Sequence, residues 1–150
     1  MLSPSADNPV TFGRYRLFEE IGRGGMAMVY RAEMQGVGGF SKLVALKVIR
    51  PELIEGDREF VRQFINEARL GGYLSHNNIV ETLDFGETDG QLYMAMEYVV
   101  GPTLQHVWEG SRRGHKPIPP PVAFEIIHQV LEGLTEAHRA KDANGRPLRD

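Results

Sequence analysis

One stretch near the start of the chain decides the fold. Residues 21–29 have the sequence Ile21-Gly22-Arg23-Gly24-Gly25-Met26-Ala27-Met28-Val29. The runs on either side, residues 14–22 and 27–34, are rich in β-prone residues and predict two strands, so the glycines are expected at the turn of a hairpin. Because glycine has no side chain, backbone N–H groups in such a turn can approach phosphate oxygens. A glycine-rich turn alone is more often a flexible hairpin without a ligand, so this motif needs support from other residues.

The same glycines argue against a dinucleotide-binding fold. That fold needs its glycines to open a helix, with an acidic residue about 20 positions later on the next strand. Here residues 28–31 continue as a strand, and residues 43–49 contain no acidic residue.

The next strand carries one charge that needs a partner. Residues 43–49 have the sequence Leu-Val-Ala-Leu-Lys-Val-Ile, which predicts a strand buried on both faces and interrupted by Lys47. A charge among apolar neighbours is costly unless it is paired. The alternative is an edge strand whose lysine reaches solvent.

Glu67 raises the same question on the helix predicted for residues 57–74. The apolar stripe of that helix contains Phe64 and Leu74, and Glu67 lies within the stripe at helical spacing. The alternative is a carboxylate at the edge of the stripe that reaches solvent. Pairing Lys47 with Glu67 explains both charges, and it predicts a buried ion pair beside a triphosphate.

The remaining elements follow from turns and periodicity. Residues 79–85 and 91–100 are predicted strands, which brings the total to five strands with one main helix, capped at Gly56-Asp57. Thr103 can cap a short helix that ends near Arg112.

The last part of the chain is predicted to be helical. After a basic, proline-rich loop, residues 121–140 form a helix with a broad apolar face. Its large side chains need cover from water, so we expect self-association through this helix or poor order within it. Residues 142–150 are polar and predict a loop.

The composition argues against several classes of protein. The chain has 41% hydrophobic and 25% charged residues, as soluble domains do. A net charge of -3 leaves no cation excess for a nucleic-acid partner. With 0 Cys and no metal-ligand spacing of His, neither disulfides nor a metal site within the chain is expected. Residues 1–13 predict a flexible tail without a secretion signal, and no membrane segment is expected in this chain. The lack of Cys fits a reducing, cytoplasmic setting.

Four motifs, in order and correctly spaced, resemble those of protein kinases, most closely the bacterial eukaryotic-like serine/threonine kinases. The motifs are the glycine-rich loop, Val44-Ala45-Leu46-Lys47 with Glu67 on the following helix, His76-Asn77-Asn78-Ile79-Val80, and Met94-Ala95-Met96-Glu97-Tyr98-Val99. The resemblance implies an α+β fold. Residues 14–100 would be a kinase N-lobe that binds ATP, with a five-stranded antiparallel sheet, and residues 101–150 would be the hinge exit and first helices of an incomplete helical C-lobe.

The resemblance also implies roles for individual residues. Lys47 would hold the α- and β-phosphates of ATP, positioned by Glu67. The loop over the nucleotide would comprise Gly22, Arg23, Gly24, Gly25, Met26, Ala27 and Met28, with Ala27 in place of the third glycine. The adenine pocket would be formed by Ile21, Val29, Ala45, Val80, Met96 and the backbone of Glu97 and Val99.

Two further motifs share letters with kinase signatures but stand in the wrong place. Asp84-Phe85-Gly86 precedes the hinge, so we interpret it as a strand end and not as a metal-binding motif. Leu148-Arg149-Asp150 has leucine where the catalytic loop has histidine, so Asp150 is expected to precede that loop. The ligands of Mg²⁺ are then expected beyond residue 150.

The function implied is transfer of the γ-phosphate of ATP to Ser or Thr of a protein substrate. Because the catalytic loop is expected outside these residues, the chain alone is expected to be inactive. The alternative is a truncated or degenerate kinase that binds nucleotide or another protein without transferring phosphate.

Overall fold

The structure is a computed structural model that describes residues 4–50 and 58–148. Two units make up the chain, and each is described by itself. Unit 1 comprises Met1–Leu74 and Val80–Tyr98, and unit 2 comprises Ser75–Ile79 and Val99–Asp150.

Unit 1 contains an antiparallel sheet and one α-helix, α1, which spans Arg58–Gly71. The strands of the sheet are β1 Val10–Phe12, β2 Tyr15–Arg23, β3 Ala27–Gln35, β4 Ser41–Ile49, β5 Thr82–Thr88 and β6 Gln91–Glu97. Their order across the sheet is β1-β2-β3-β4-β6-β5. This is the predicted α+β architecture of a kinase N-lobe, and the cap predicted at Gly56-Asp57 lies outside the described residues.

The predicted count of five strands is one short. The additional strand, β1, pairs with β2 through a turn at Gly13, whose φ of 56° favours glycine. Phe12 is buried within the sheet. A run of only three β-prone residues next to a polar tail is a weak signal, and pairing with β2 stabilises it.

The sheet curls so that its two ends meet around an apolar core. From the central strands this core receives Tyr30, Val44, Leu46, Val48 and Ala95, and from β1 and β2 it receives Phe12, Tyr15 and Leu17. The rings of Phe12 and Tyr15 both pack edge-on against Tyr93 of β6, with centroids 5.8 and 5.1 Å away. Aromatic contact between strands that are not neighbours in the sheet therefore closes the curl.

Helix α1 packs on the outer face of the curl. Phe64 and Ala68 contact Ile49 and Met94 there, with Ala27 also buried at this contact. At the end of the helix, a Cβ on Gly71 would lie only 2.2 Å from Thr82 Oγ1 in β5. The absence of a side chain at Gly71 thus allows the close approach of α1 to the sheet.

Unit 2 contains two helices, α2 at Leu104–Arg113 and α3 at Pro120–Arg139. Thr103 caps α2 as predicted, since its side chain accepts a hydrogen bond from the backbone N–H of His106. Residues 75–79 lie along α3, where Asn78 Nδ2 donates to the carbonyl of Gln129 at 3.0 Å. Over the residues that the structure describes, neither helix is long and apolar enough to cross a membrane.

The polar segment after α3, predicted as a loop, forms a compact turn over its described part. Asp142 Oδ1 accepts from the backbone N–H groups of Asn144 and Arg146, both at 2.9 Å. Lys141 pairs with Pro147 in an antiparallel bridge. An aspartate that binds its own backbone orders the turn without an apolar core.

Candidate functional site

Lys47 and Glu67 form the ion pair at the centre of the site. Lys47 is in β4 and Glu67 is in α1, and Lys47 Nζ lies 2.7 Å from each carboxylate oxygen of Glu67. The ammonium is also 5.7 Å from the centroid of the Phe64 ring. Phe64, predicted only as part of the apolar stripe, thus also contacts the lysine, because residues at i and i+3 share one side of a helix.

The prediction that this pair is buried was wrong. The side chain of Lys47 is 21% exposed and that of Glu67 is 48% exposed. Strand β4 is buried on one face, through Val44, Leu46 and Val48, whereas Leu43 on the other face is exposed. Helix α1 covers that second face only near Ile49, so the sheet remains open where Lys47 and Ala45 lie.

Four predicted site residues share this open face. Val29 of β3 pairs directly with Lys47, and Ala45 pairs directly with Met96 of β6. Directly paired residues of an antiparallel sheet have side chains on the same face, and Ala45 and Lys47 are two positions apart on one strand. Val29, Ala45 and Met96 therefore give the lysine apolar neighbours on this face.

The glycine-rich loop connects β2 to β3 and is fixed at both ends by backbone hydrogen bonds. The N–H of Gly24 donates to the carbonyl of Ala27 at 2.9 Å, and the N–H of Arg50 donates to that of Met26 at 3.0 Å. Gly22, Gly24 and Gly25 all have ordinary φ angles, and a Cβ on Gly25 would contact nothing within 4 Å. The fold therefore does not itself demand glycine at position 25, and the open space there suits a phosphate group.

The other loop residues differ in what they can offer a ligand. Ala27 is buried against α1, so the position that holds glycine in many kinases contributes here to the core. Met28 is buried inside the curl, so only its backbone faces outwards. The guanidinium of Arg23 binds both oxygens of Glu20, with Nε 2.8 Å from Oε1.

The remaining predicted residues are Ile21, Val80, Glu97 and Val99. Ile21 and Val80 are exposed apolar side chains of unit 1. Glu97, the last residue of β6, donates its N–H to the carbonyl of Glu81 at 3.0 Å. Val99 belongs to unit 2 and is exposed there.

Asp84 lies in the closure of the curled sheet. Its Oδ2 accepts hydrogen bonds from Tyr15 at 2.5 Å and Tyr93 at 3.0 Å, and it pairs with Arg14 Nη2 at 2.7 Å. Burial alone would raise the pKa of Asp84, but these three donors outweigh burial and hold the pKa below its ordinary value. Burial, followed by the hydrogen bond to Asp84, raises the pKa of Tyr15.

The sequence offered only a weak signal for this network. Asp84 was interpreted as a strand end, and its contacts give it a structural role in closing the sheet. Tyr93 is 9 positions away in the paired strand β6, but Tyr15 is 69 positions away along the chain, and only tertiary structure brings it to Asp84. In the motif Leu148-Arg149-Asp150, both charged residues lie outside the part of the chain that the structure describes.

The groups at the site are of the kind that bind a nucleotide, and they are not a set of protein ligands for a metal ion. A paired lysine, an apolar face and an open glycine loop are complementary to phosphates and a base. Across residues 4–50 and 58–148, no group of three or more His, Asp or Glu side chains could hold a metal ion.

Comparisons with known proteins show the family. Residues 15–142 match the family described as Protein kinase domain. The chain is 33% identical over 137 residues to the tyrosine-protein kinase MasK of Myxococcus xanthus, covering 91% of this chain and 21% of that protein. It is 41% identical over 126 residues to the probable serine/threonine-protein kinase PknB of Lactococcus lactis, covering 83% of this chain and 19% of that protein.

Solved structures agree with this assignment. The chain superposes on a variant of the Mycobacterium tuberculosis PknI kinase domain with a TM-score of 0.68 and 34% identity, covering 93% of this chain and 53% of that one. The chain thus spans about a fifth of these curated relatives and about half of that kinase domain. From the match over residues 15–142 and these similarities, the chain belongs to the protein kinase domain family, within which it resembles bacterial kinases of the serine/threonine type.

Proposed function

We propose that this chain is the ATP-binding portion of a protein kinase that transfers the γ-phosphate of ATP to serine or threonine in a protein substrate. The observation that carries the proposal is the ion pair of Lys47 with Glu67, in which both carboxylate oxygens lie 2.7 Å from the ammonium. In this family, such a lysine positions the phosphates of ATP.

The geometry of the pair explains how Lys47 can serve a ligand. An ammonium has three N–H donors. Glu67 takes two of them, and among the described residues the third remains for a phosphate oxygen. Because the side chain of Lys47 is 21% exposed, an anion can reach this donor without displacing Glu67.

The two residues have different tasks. Lys47 binds phosphate oxygens and offsets their negative charge, whereas Glu67 holds the flexible lysine side chain in one orientation. ATP supplies the phosphoryl group, and Mg²⁺ neutralises its charge when bound. The open face with Val29, Ala45 and Met96 would pack the base, and the glycine loop would cover the phosphates.

The choice of serine or threonine as acceptor rests on the relatives. PknB of Lactococcus lactis and PrkC of Bacillus subtilis are named serine/threonine kinases, whereas MasK is named a tyrosine kinase. The proposal follows the first group because its relatives have the higher identities, 41% and 38% against 33%. Identification of the phosphorylated amino acid in a modified protein tests this choice directly.

Nucleotide binding to the purified chain tests the site. We expect Lys47→Met to weaken binding of a fluorescent ATP analogue in the presence of Mg²⁺ by about tenfold or more, because a charge-assisted contact is lost. Lys42→Met is the matched control, since Lys42 is an exposed lysine of the same strand, and it should bind as the wild type does. Equal affinity of all three proteins would contradict the assignment.

Phosphoryl transfer is tested in the natural gene product that contains this chain. With casein as acceptor, Lys47→Met should lower the rate by at least about a hundredfold, and Lys42→Met should not. A rate for Lys47→Met within about twofold of the wild type refutes the proposed role. Nucleotide binding without transfer by the wild-type protein would favour the alternative, a degenerate kinase that acts as a binding module.

A further inference from the structure

A cavity lies at the end of α2, and none of its lining residues is among those proposed to contact nucleotide. Its volume is about 410 Å³, and its walls are formed by Trp108, Ser111, Arg112, His115, Pro117 and Ile118. Most of the lining is apolar. The cavity belongs wholly to unit 2.

Trp108 provides the main apolar surface of this cavity. It is the only tryptophan of the chain, and it is 51% exposed. The guanidinium of Arg112, one turn later in α2, lies 4.9 Å from the centre of its ring. Exposed tryptophan and arginine are the residue types that most often dominate binding energy in protein interfaces.

Residues 111–118, which supply the other lining side chains, are held in place by their own hydrogen bonds. Ser111 Oγ donates to the carbonyl of Lys116 at 2.6 Å, and the N–H of Lys116 donates to the carbonyl of Ser111 at 3.1 Å. The N–H of Gly114 donates to the carbonyl of Gly110 at 2.9 Å. A wall already fixed in this way costs little ordering entropy when a ligand binds.

Two cationic side chains mark the rim of the cavity. Arg112 lines the cavity, and Lys116 lies in the sequence between the lining residues His115 and Pro117. The one carboxylate between residues 104 and 118 is Glu109, and it pairs with Arg113 at 3.1 Å. In a chain whose net charge is -3, this rim is a local positive surface beside an apolar cavity.

We propose that this surface is a docking site for an acidic segment of a protein partner. An aliphatic or aromatic side chain of the segment fills the cavity against Trp108 and Ile118. Carboxylates on either side of that anchor bind Arg112 and Lys116, because clustered cations recognise acidic motifs through charge-assisted hydrogen bonds. The cavity requires an apolar anchor, which a nucleic-acid backbone does not supply, so the geometry favours a peptide.

The docking site is independent of nucleotide binding and of phosphoryl transfer. Its test therefore uses the purified chain without ATP, so its failure leaves the proposed kinase function untouched. The probe is a short, dye-labelled peptide of glutamates with leucine and phenylalanine at its centre. Binding is followed by the anisotropy of the dye and by the emission of Trp108, which reports on this cavity because no second tryptophan contributes.

We expect saturable binding that changes the emission of Trp108 and weakens as salt is added. Lys116→Glu should weaken binding by about fivefold or more, because an attraction becomes a repulsion at the rim. Trp108→Ala should abolish binding measured by anisotropy, whereas Trp108→Phe should retain most of it. Arg139→Glu, an exposed arginine at the end of α3, is the matched charge control and should bind normally.

Several results would overturn the proposal. Equal binding of a peptide with lysine in place of every glutamate, or a rise in anisotropy with constant Trp108 emission, would place the peptide elsewhere. Tighter binding of a single-stranded oligonucleotide would identify a nucleic-acid surface instead. If Trp108→Ala lowers the helix content of the chain measured by circular dichroism, its loss of binding is not informative. The comparison of Lys116→Glu with Arg139→Glu then decides the question.

Discussion

Helices α1 and α3 both carry an apolar stripe, but only the stripe of α1 is covered. In unit 1, Phe64 and Ala68 of α1 are buried against the sheet. In unit 2, the stripe of α3 remains exposed at Phe124, Ile127, Val130, Leu131 and Leu134, and Gly133 is the one buried residue of that helix. An apolar stripe therefore predicts that a helix seeks a partner surface, and the neighbouring elements decide whether it has one.

The difference lies in what faces each helix. The curled sheet offers α1 a ready apolar surface at Ile49 and Met94, and Gly71 lets the helix approach it closely. Residues 75–79 meet α3 through the side chain of Asn78, which binds Gln129 and Glu132, and through Ile79, which lies close to Gly133. We therefore expect equivalent mutations to have different effects on stability in the two units.

The same substitution in the two units should give the largest contrast. Leu46→Ala removes a fully buried side chain (0% exposed) and should lower the free energy of unfolding of unit 1 by about 2–5 kcal/mol. Leu131→Ala removes a side chain that is 56% exposed and should change the free energy of unfolding of unit 2 by less than about 0.5 kcal/mol. Urea unfolding with amide hydrogen exchange, at a concentration at which the chain is monomeric, measures both, and equal effects would mean that α3 is covered within the chain.

Asp84→Asn probes how the curl of unit 1 is closed. We expect a loss of about 1–3 kcal/mol at neutral pH, because buried donors of Tyr15 and Tyr93 lose an ionised acceptor. Asp89→Asn, in the exposed turn between β5 and β6, is the control and should have little effect. Turnover of the natural gene product and its Mg²⁺ dependence should not change where the variant is folded; a loss of turnover in a folded variant would mean that Asp84 takes part in catalysis.

The Asp84 contribution should also depend on pH. The folded-state pKa of Asp84 lies below its ordinary value of 3.8, so the ionised carboxylate stabilises the fold above that value. This stabilisation is lost as the pH falls through the folded-state pKa. The stability difference between wild type and Asp84→Asn should therefore shrink below about pH 4. A difference that stays constant down to pH 2 would assign the effect of the mutation to packing.

The exposed stripe of α3 predicts self-association of the purified chain. We expect Leu131→Lys to raise the dissociation constant of the self-associated species by about tenfold, because a charge replaces apolar contact area. Gln129→Lys, at a polar position of the same helix, is the matched control. Sedimentation and light scattering measure the change. A strictly monomeric wild type with strong amide protection over residues 126–134 would contradict the prediction and remove the contrast between the units.

The smallest effect is expected at the ion pair of the site. Because Glu67 is 48% exposed, Glu67→Gln should change the free energy of unfolding by less than about 1 kcal/mol. Nucleotide affinity should fall only severalfold, since the amide still binds Lys47 without balancing its charge. In the double variant with Lys47→Met, the second mutation should add little. Additive losses would show that Glu67 acts on the nucleotide independently of Lys47.

Prediction from the sequence was most successful where it used local patterns, such as turns and periodicity, or a charge that needs a partner. Apolar alternation, turns and helical spacing placed β2, β3, β4, β6 and the three α-helices with ends within a few residues of those in the structure, and β5 about three residues early. The pairing of Lys47 with Glu67, 20 positions apart, was predicted because each charge lacked an explanation by itself. The three-residue strand β1 was missed because its stabilisation comes from pairing with β2.

The sequence by itself determined the order of the elements, the cationic and anionic members of the central pair, and the membership of the chain in its family. Those properties reside in residue type and spacing, which backbone geometry converts into strands and helices whatever lies opposite them. Only the tertiary structure decided that the sheet curls shut through Asp84, that the Lys47 face stays open and that the stripe of α3 has no cover among the described residues. Burial is a property of two surfaces in contact, and the sequence of one element contains only half of that information.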